Sequence, residues 1–151
     1  FFQYPTKKLH IREIARLINI SAPTAALIVN NLVKEGYLKK EKTKVIDEVR
    51  ANIDNEKFQD TKKAYNLLSL YECGIVDYLN NKYYPDSIIL FGSYARGEDI
   101  ERSDVDIAVI TKKHKNLNLS KFEQVLKRTI NVHEVILKKV SREALEDLFK
   151  I

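Results

Sequence analysis

One stretch, Ser87 to Ile110, constrains the fold of this chain more than any other, because it sets two short apolar runs around a glycine-led turn. Ser87-Ile88-Ile89-Leu90-Phe91 lies between Pro85 and Gly92 and reads as a buried strand. Gly92-Ser93-Tyr94-Ala95-Arg96-Gly97 then turns the chain and opens a short helix. Asp104-Val105-Asp106-Ile107-Ala108-Val109-Ile110 follows as a second strand, with ten residues between Ser93 and Asp104. Alternate residues of a strand share a face, so Asp104 and Asp106 point one way while Val105 and Ile107 point into a core. Two carboxylates that close repel unless a divalent cation lies between them, which makes the pair a natural Mg2+ site. The Gly-Ser turn at a helix start offers backbone N–H groups and a hydroxyl to a phosphate. A triphosphate gripped at one end, with metals on its phosphoryl oxygens, is set up for two-metal in-line displacement.

This stretch resembles the nucleotidyltransferase superfamily that includes DNA polymerase beta. Its signature is an apolar strand, Gly-Ser or Gly-Gly, about ten residues, then Asp-apolar-Asp-apolar. Here that is Leu90-Phe91-Gly92-Ser93 through Asp104-Val105-Asp106-Ile107, and the surrounding Tyr94-Ala95-Arg96-Gly97-Glu98 and Arg102-Ser103-Asp104 look like the minimal nucleotidyltransferases of prokaryotes. The resemblance covers roughly residues 60–151. It implies that Asp104 and Asp106 are catalytic and bind two Mg2+ ions, that Gly92 and Ser93 hold the triphosphate, and that Arg96 assists at the phosphates. It also implies ATP as donor of AMP and a protein hydroxyl as acceptor. Minimal relatives act as antitoxins that adenylylate a ribonuclease partner of the HEPN toxin type.

The resemblance further calls for a third carboxylate on a neighbouring strand, to help hold one metal and deprotonate the attacking group. After a polar connection, Ser120 to Ile130 has helical spacing, and Val132-His133-Glu134-Val135-Ile136-Leu137 reads as the next strand. Glu134 is the only carboxylate there and is the candidate third catalytic and metal residue, although it is one methylene longer than the expected Asp. His133, on the opposite face, is the other residue that fits that position. Ser141-Arg142-Glu143-Ala144-Leu145-Glu146 reads as a capped helix start whose apolar residues cover the sheet.

The N-terminal part reads as two short helices and a hairpin. Ile11, Ile14, Ala15, Leu17 and Ile18 fall at helical spacing in a helix from Ile11 to Ile20. Ser21 caps a second helix with Pro23 in its first turn, an apolar stripe of Ala25, Ile28, Val29, Leu32 and Val33, and a stop at Gly36. Tyr37–Lys44 and Val45–Arg50 then read as two charged strands. Ile11–Leu17, Ile20–Thr24 and Leu32–Leu38 carry a resemblance to the winged helix-turn-helix family over roughly residues 6–52. In DNA-reading members the solvent face of the second helix enters the major groove, where Asn pairs with adenine. Thr24, Asn30, Asn31 and Lys34 are therefore candidate contacts to double-stranded DNA, and the wing lysines Lys39, Lys40, Lys42 and Lys44 candidate grips on phosphate. A solvated edge hairpin explains the same lysines, and an exposed Leu27 suits a protein contact as well as a DNA one.

The expected fold class is α+β. A winged helix-turn-helix over residues 1–57 precedes a small mixed-sheet, polymerase-beta-like nucleotidyltransferase domain over 58–151 with helices on one face. Asp60–Asn81 reads as one long helix with a broad apolar face from Ala64 to Leu79, and Gly74 inside it is either a close approach or a break between two helices. Of the net charge of +5, +4 falls on residues 1–57, where 11 basic side chains face 7 acidic ones. No run approaches the roughly 18 apolar residues of a membrane span, and no leader is visible, so a cytoplasmic setting without membrane partner is expected. Cys73 alone supports neither a disulfide nor a Cys-based zinc site and reads as a small core residue. Methionine is absent, so the opening Phe1-Phe2-Gln3-Tyr4-Pro5 reads as the tail of an element that begins earlier. Winged helices often pair as homodimers, though no apolar seam specifies one here. The enzyme reading leads. The alternative is a DNA-binding regulator whose second domain senses a nucleotide or partner without turnover.

Overall fold

The computed structural model describes residues 1–42 and 47–136. They hold six helices and two three-stranded sheets, a mixed α/β composition. Two compact units meet between Lys62 and Lys63, inside a helix.

In the first unit, β1 (Leu9–His10) leads into α1 (Ile11–Leu17), α2 (Ala22–Lys34), β2 (Leu38–Lys42) and β3 (Asp47–Ala51). Ser21 caps α2 as its sequence requires, its Oγ accepting from the Thr24 N–H at 3.2 Å. The helix closes at Gly36 in a paired-bond motif: Tyr37 N–H donates to the Leu32 carbonyl and Gly36 N–H to that of Val33. The strands are antiparallel in the order β1-β3-β2, and β1 is an element the apolar pattern did not announce. Leu9, Ile14, Val29, Leu38 and Val49 form the core. Two expectations change. Helix α1 ends at Leu17 rather than Ile20, because Asn19 enters the left-handed region, and this leaves Leu17 and Ile18 facing solvent. Ile28 also lies outside the buried stripe of α2. The hairpin turn, residues 43–46, falls outside the described residues.

Helix α3 (Glu56–Glu72) crosses the division and continues into α4 (Ile75–Tyr83), β4 (Ser87–Phe91), α5 (Gly92–Arg96), β5 (Val105–Ile110), α6 (Ser120–Leu126) and β6 (Ile130–Val135). The long helix expected across this region is thus two, broken at Gly74, whose φ of +80° suits glycine. The apolar face expected of it is also corrected. Within the second unit Asn66 and Leu70 turn inward, while Leu67, Leu68 and Tyr71 are exposed.

The sheet runs β4-β5-β6, with β4 antiparallel to β5 and β6 parallel to it. A parallel pair needs a crossover, and α6 supplies it. That helix stops at Leu126 because Lys127 turns left-handed at φ +53°, so Ile130, expected as helix, opens β6 instead. Val105, Ile107 and Val109 share the face that packs on Leu70, Ile75, Leu79, Phe122 and Leu126. Cys73 packs beside this core, and burial pushes its thiol up, away from nucleophilic chemistry. The terminal helix expected from Ser141 and the strand end at Leu137 fall outside the described residues.

Candidate functional site

The face of the sheet away from the helices carries the polar residues. Strand pairing places Phe91 opposite Asp106 and Asp106 beside Asn131, so these three side chains emerge on one side of three adjacent strands. Asp104 stands just before β5 and joins them. Asn131 Nδ2 donates to Asp106 Oδ1 at 3.1 Å and reaches Asp104 Oδ2 at 3.3 Å. His133, two residues along β6, brings Nε2 to 3.9 Å from Asp106 Oδ1 and packs its ring on Phe91 with centroids 5.3 Å apart.

Gly92 explains itself through Asp106. Its φ of +75° favours glycine, and an added Cβ would lie 2.6 Å from Asp106 Oδ2. The carboxylate thus sits against the bare backbone at the start of α5. Ser93 follows at the first turn, and the turn is held from beneath. Asn66 Nδ2 donates to the Tyr94 carbonyl at 2.8 Å and to Asp99 Oδ1 at 2.7 Å, both buried. Arg96 is half-exposed, its Nε donating to Glu98 Oε2 at 2.7 Å. The structure therefore brings Gly92 to Asp106, leaves Ser93 one residue away, and gives Arg96 a neighbouring carboxylate.

Glu134 is not brought to this group. Its register partner is Val109, on the helix-packed face. There its carboxylate accepts from the Tyr83 hydroxyl and the Lys115 backbone N–H, and pairs with His114 Nδ1. Burial alone would push its pKa up, but these partners outweigh it and hold the carboxyl below the ordinary glutamate range. Burial first, and Glu134 second, push the Tyr83 phenol well up, so it stays a donor.

Among the described residues no three His, Cys, Asp or Glu side chains are grouped so as to hold a metal ion. What the fold assembles is two carboxylates, an amide and an imidazole. Among the described residues the side-chain partners of the two carboxylates are an amide and an imidazole rather than a lysine or arginine. Sequence reasoning missed Asn131 and Asn66. Counting in twos along β6 from the β5 register would have found the first, but nothing in the linear pattern marks the second. Beside Asp104 an open depression of about 660 Å³ is lined by Arg102, Ser103, Gln124, Lys127 and Thr129, among others.

On the first unit, Asn30, Asn31 and Lys34 are exposed on α2. Thr24 is exposed too, but its hydroxyl is engaged with Ser21 Oγ at 2.7 Å. Lys40 pairs with Asp47 and Lys39 with Asp54, both at 2.8 Å. The Lys42 side chain and Lys44 lie outside the description.

Residues 72–150, just over half of the chain, match the model of the nucleotidyltransferase domain family. Two proteins of Methanocaldococcus jannaschii, each named "Putative protein adenylyltransferase", are similar over shorter stretches. MJ1379 is 64% identical over 31 residues, 20% of this chain and 31% of its own. MJ1305 is 42% identical over 59 residues, 34% of this chain and 40% of its own. The matches thus span between three and four tenths of these relatives' length. No solved structure gives a significant match.

Proposed function

Because the chain belongs to the nucleotidyltransferase domain family, we propose that it moves AMP from ATP to a hydroxyl of a protein acceptor. The observation that carries this reading is the single sheet face on which Gly92, Asp104 and Asp106 converge at the start of α5. In the reaction the acceptor oxygen bonds to the α-phosphorus, the bond to the β-phosphate oxygen breaks, and pyrophosphate leaves as the hydroxyl loses its proton. Asp104 and Asp106 would hold the two Mg2+ ions, which when bound shield the triphosphate and favour loss of that proton. Gly92 and Ser93 offer backbone and hydroxyl donors to the phosphates, and Arg96 offers a cation once it leaves Glu98. The depression beside Asp104 has room for an acceptor side chain. The names of the two relatives favour a protein as acceptor, and the motif's resemblance to minimal antitoxin enzymes favours a HEPN-type toxin.

A second reading, a DNA-binding regulator, is supported by the exposed Asn30, Asn31 and Lys34 on α2 and by the hairpin of β2 and β3 that follows the pair of helices. On this reading the first unit is a winged helix-turn-helix and the second senses nucleotide without turnover.

Calorimetric titration of MgATP into wild type and Asp104→Asn/Asp106→Asn, then radiolabelled ATP with a HEPN-type acceptor, tests both. Binding that the double variant loses, with label on the acceptor reduced by more than about 100-fold, beyond the usual cost of losing a supporting contact, is the expected result. Binding without label on any protein favours the regulator, and no binding overturns the transfer reading.

A further inference from the structure

We propose that the far end of the same sheet holds a second binding site, for single-stranded nucleic acid, built from Lys82, Tyr84, Lys112, Lys113 and Lys115. It stands independently of the transfer reading. Where β5 ends, the Ile110 carbonyl accepts from the Asp86 N–H at 2.9 Å, so the link after α4 and the connection after β5 lie side by side. Between them is a depression of about 530 Å³, lined by Lys82, Tyr84, Asp86, Lys112, Lys113 and Lys115, among others. Thr111 in its wall is separated from Asp106 by the length of β5, roughly 16 Å at about 3.3 Å per residue. Glu134 fastens the two walls together. Its carboxylate accepts from the Lys115 backbone N–H at 2.8 Å and from the Tyr83 hydroxyl at the end of α4, and pairs with His114. The four lysines rise from this tied frame, exposed and without an ion pair among the described residues. Ammonium groups around one depression repel until an anion joins them, and Asp86 is the one carboxylate among the described residues of the lining.

Tyr84 points to the kind of anion. It takes the left-handed conformation at φ +47° directly before Pro85 and is 86% exposed. An aromatic residue held there gains neither burial nor an easy backbone, yet it offers a flat face to a base beside a row of cations. Stacking joined to phosphate grips is how single strands are held without regard to sequence. Protein interfaces are depleted in lysine and enriched in arginine, whereas four lysines and no arginine line this depression among the described residues. A free nucleotide is held by convergent polar groups inside a pocket that buries it, which exposed lysines do not supply. A strand gains instead from every phosphate at which counterions are released.

The test is fluorescence anisotropy of the full chain with a labelled oligouridylate of about 12 nucleotides, within the length such grooves cover. Chelator is present, so no metal-bound nucleotide occupies the carboxylate pair. Wild type is expected to bind with the logarithm of affinity falling against that of salt at a slope of roughly −3, from about −0.7 for each of four phosphates. Lys112→Ala/Lys113→Ala reduces the slope by about 1.4. Tyr84→Ala weakens binding by about fivefold or more at an unchanged slope, and Lys34→Ala, on α2, changes neither. Circular dichroism melts confirm that each variant is folded. Unlabelled oligothymidylate that competes equally makes the site general for single strands, and one that competes poorly restricts it to RNA; both results support the site. ATP or a polyglutamate peptide that displaces the probe at lower concentration than either strand overturns the inference. So does the absence of strand binding at the lowest salt, an affinity unchanged in Lys112→Ala/Lys113→Ala or in Tyr84→Ala, or a loss in Lys34→Ala instead. The transfer reading stands in every case.

Discussion

At Gly92 a single hydrogen stands where any side chain would meet the Asp106 carboxylate. Two costs coincide there: a left-handed backbone, worth about 1–2 kcal/mol for a residue with a Cβ, and a contact with Asp106 Oδ2 at 2.6 Å. Gly74 carries the first cost without the second, since its φ is +80° and a Cβ there meets nothing within 4 Å. Gly92→Ala and Gly74→Ala should therefore lose similar stability, about 1–2 kcal/mol by denaturant melts, while only Gly92→Ala loses transfer, by tenfold or more as an order of magnitude. Equal losses of transfer would mean that the Asp106 contact is incidental. Glu134 makes a different prediction. A carboxyl whose folded pKa is depressed contributes stability that is full above the unfolded value, about 4.3 for glutamate, and is lost as pH falls through the lower folded value. Glu134→Gln keeps the acceptor for Tyr83 but no longer titrates. Its melting temperature should fall less steeply than that of wild type between pH 4.5 and pH 3, values set by the glutamate range, roughly. Parallel acid limbs would show that Tyr83, His114 and Lys115 do not hold the charged form. The Asp-x-Asp pair was legible because alternation needs no partner strand. Which residue of β6 shares its face was not, because His133 and Glu134 are told apart only by a one-residue register against β5.

Among the elements, the turn from β4 into α5 is built by its neighbours as much as by its own residues. Asn66, deep in α3, donates to the Tyr94 carbonyl and to Asp99, and Asp99 stands 3.7 Å from Arg128. Removing the amide leaves buried acceptors short of a donor, a loss of about 1–3 kcal/mol for each such group. Asn66→Ala should therefore lower stability by about 2–4 kcal/mol and weaken ATP binding through the loosened α5, although Asn66 is placed to touch no substrate. Leu67→Ser, on the exposed side of the same helix, should change stability by no more than about 0.5 kcal/mol. If the two variants melt alike, the inward placement of Asn66 is refuted. Strands β4 and β5 were legible as apolar runs bounded by Pro85, Gly92 and Asp104. The facing of α3 was not, because periodicity assumes that apolar residues point inward, whereas here an amide is spent inside on another element's backbone and Leu67, Leu68 and Tyr71 remain outside. Helix ends at Leu17 and Leu126 were misplaced for a related reason: Asn19 and Lys127 take left-handed conformations that residue type alone does not demand.

Across the whole molecule the question is where the net charge of +5 is available to a partner. Much of the positive charge of the first unit is locally neutralised. Lys8 pairs with Glu48, Lys39 with Asp54 and Lys40 with Asp47, each at 2.8 Å, and Arg50 with Glu41 at 2.6 Å. Exposed pairs of this kind are individually weak, yet a phosphate must displace the acidic partner before it gains the cation. Arg12 and Arg16 on α1 and Lys34 at the end of α2 are exposed and carry no ion pair among the described residues. If double-stranded DNA is a ligand, these three rather than the paired Lys39 and Lys40 should provide the counterion release. The logarithm of affinity should then fall with the logarithm of salt at a slope near −3, from about −0.9 for each phosphate engaged. Fluorescence anisotropy across 50 to 200 mM salt, an approximate range in which such slopes are read, should show Lys34→Ala reducing the slope by about one and Lys40→Ala leaving it nearly unchanged. A slope lowered by Lys40→Ala instead would put the hairpin on the phosphates. No measurable binding even at the lowest salt would remove DNA as a partner, leaving the exposed Leu27 and Ile28 of α2 to a protein contact.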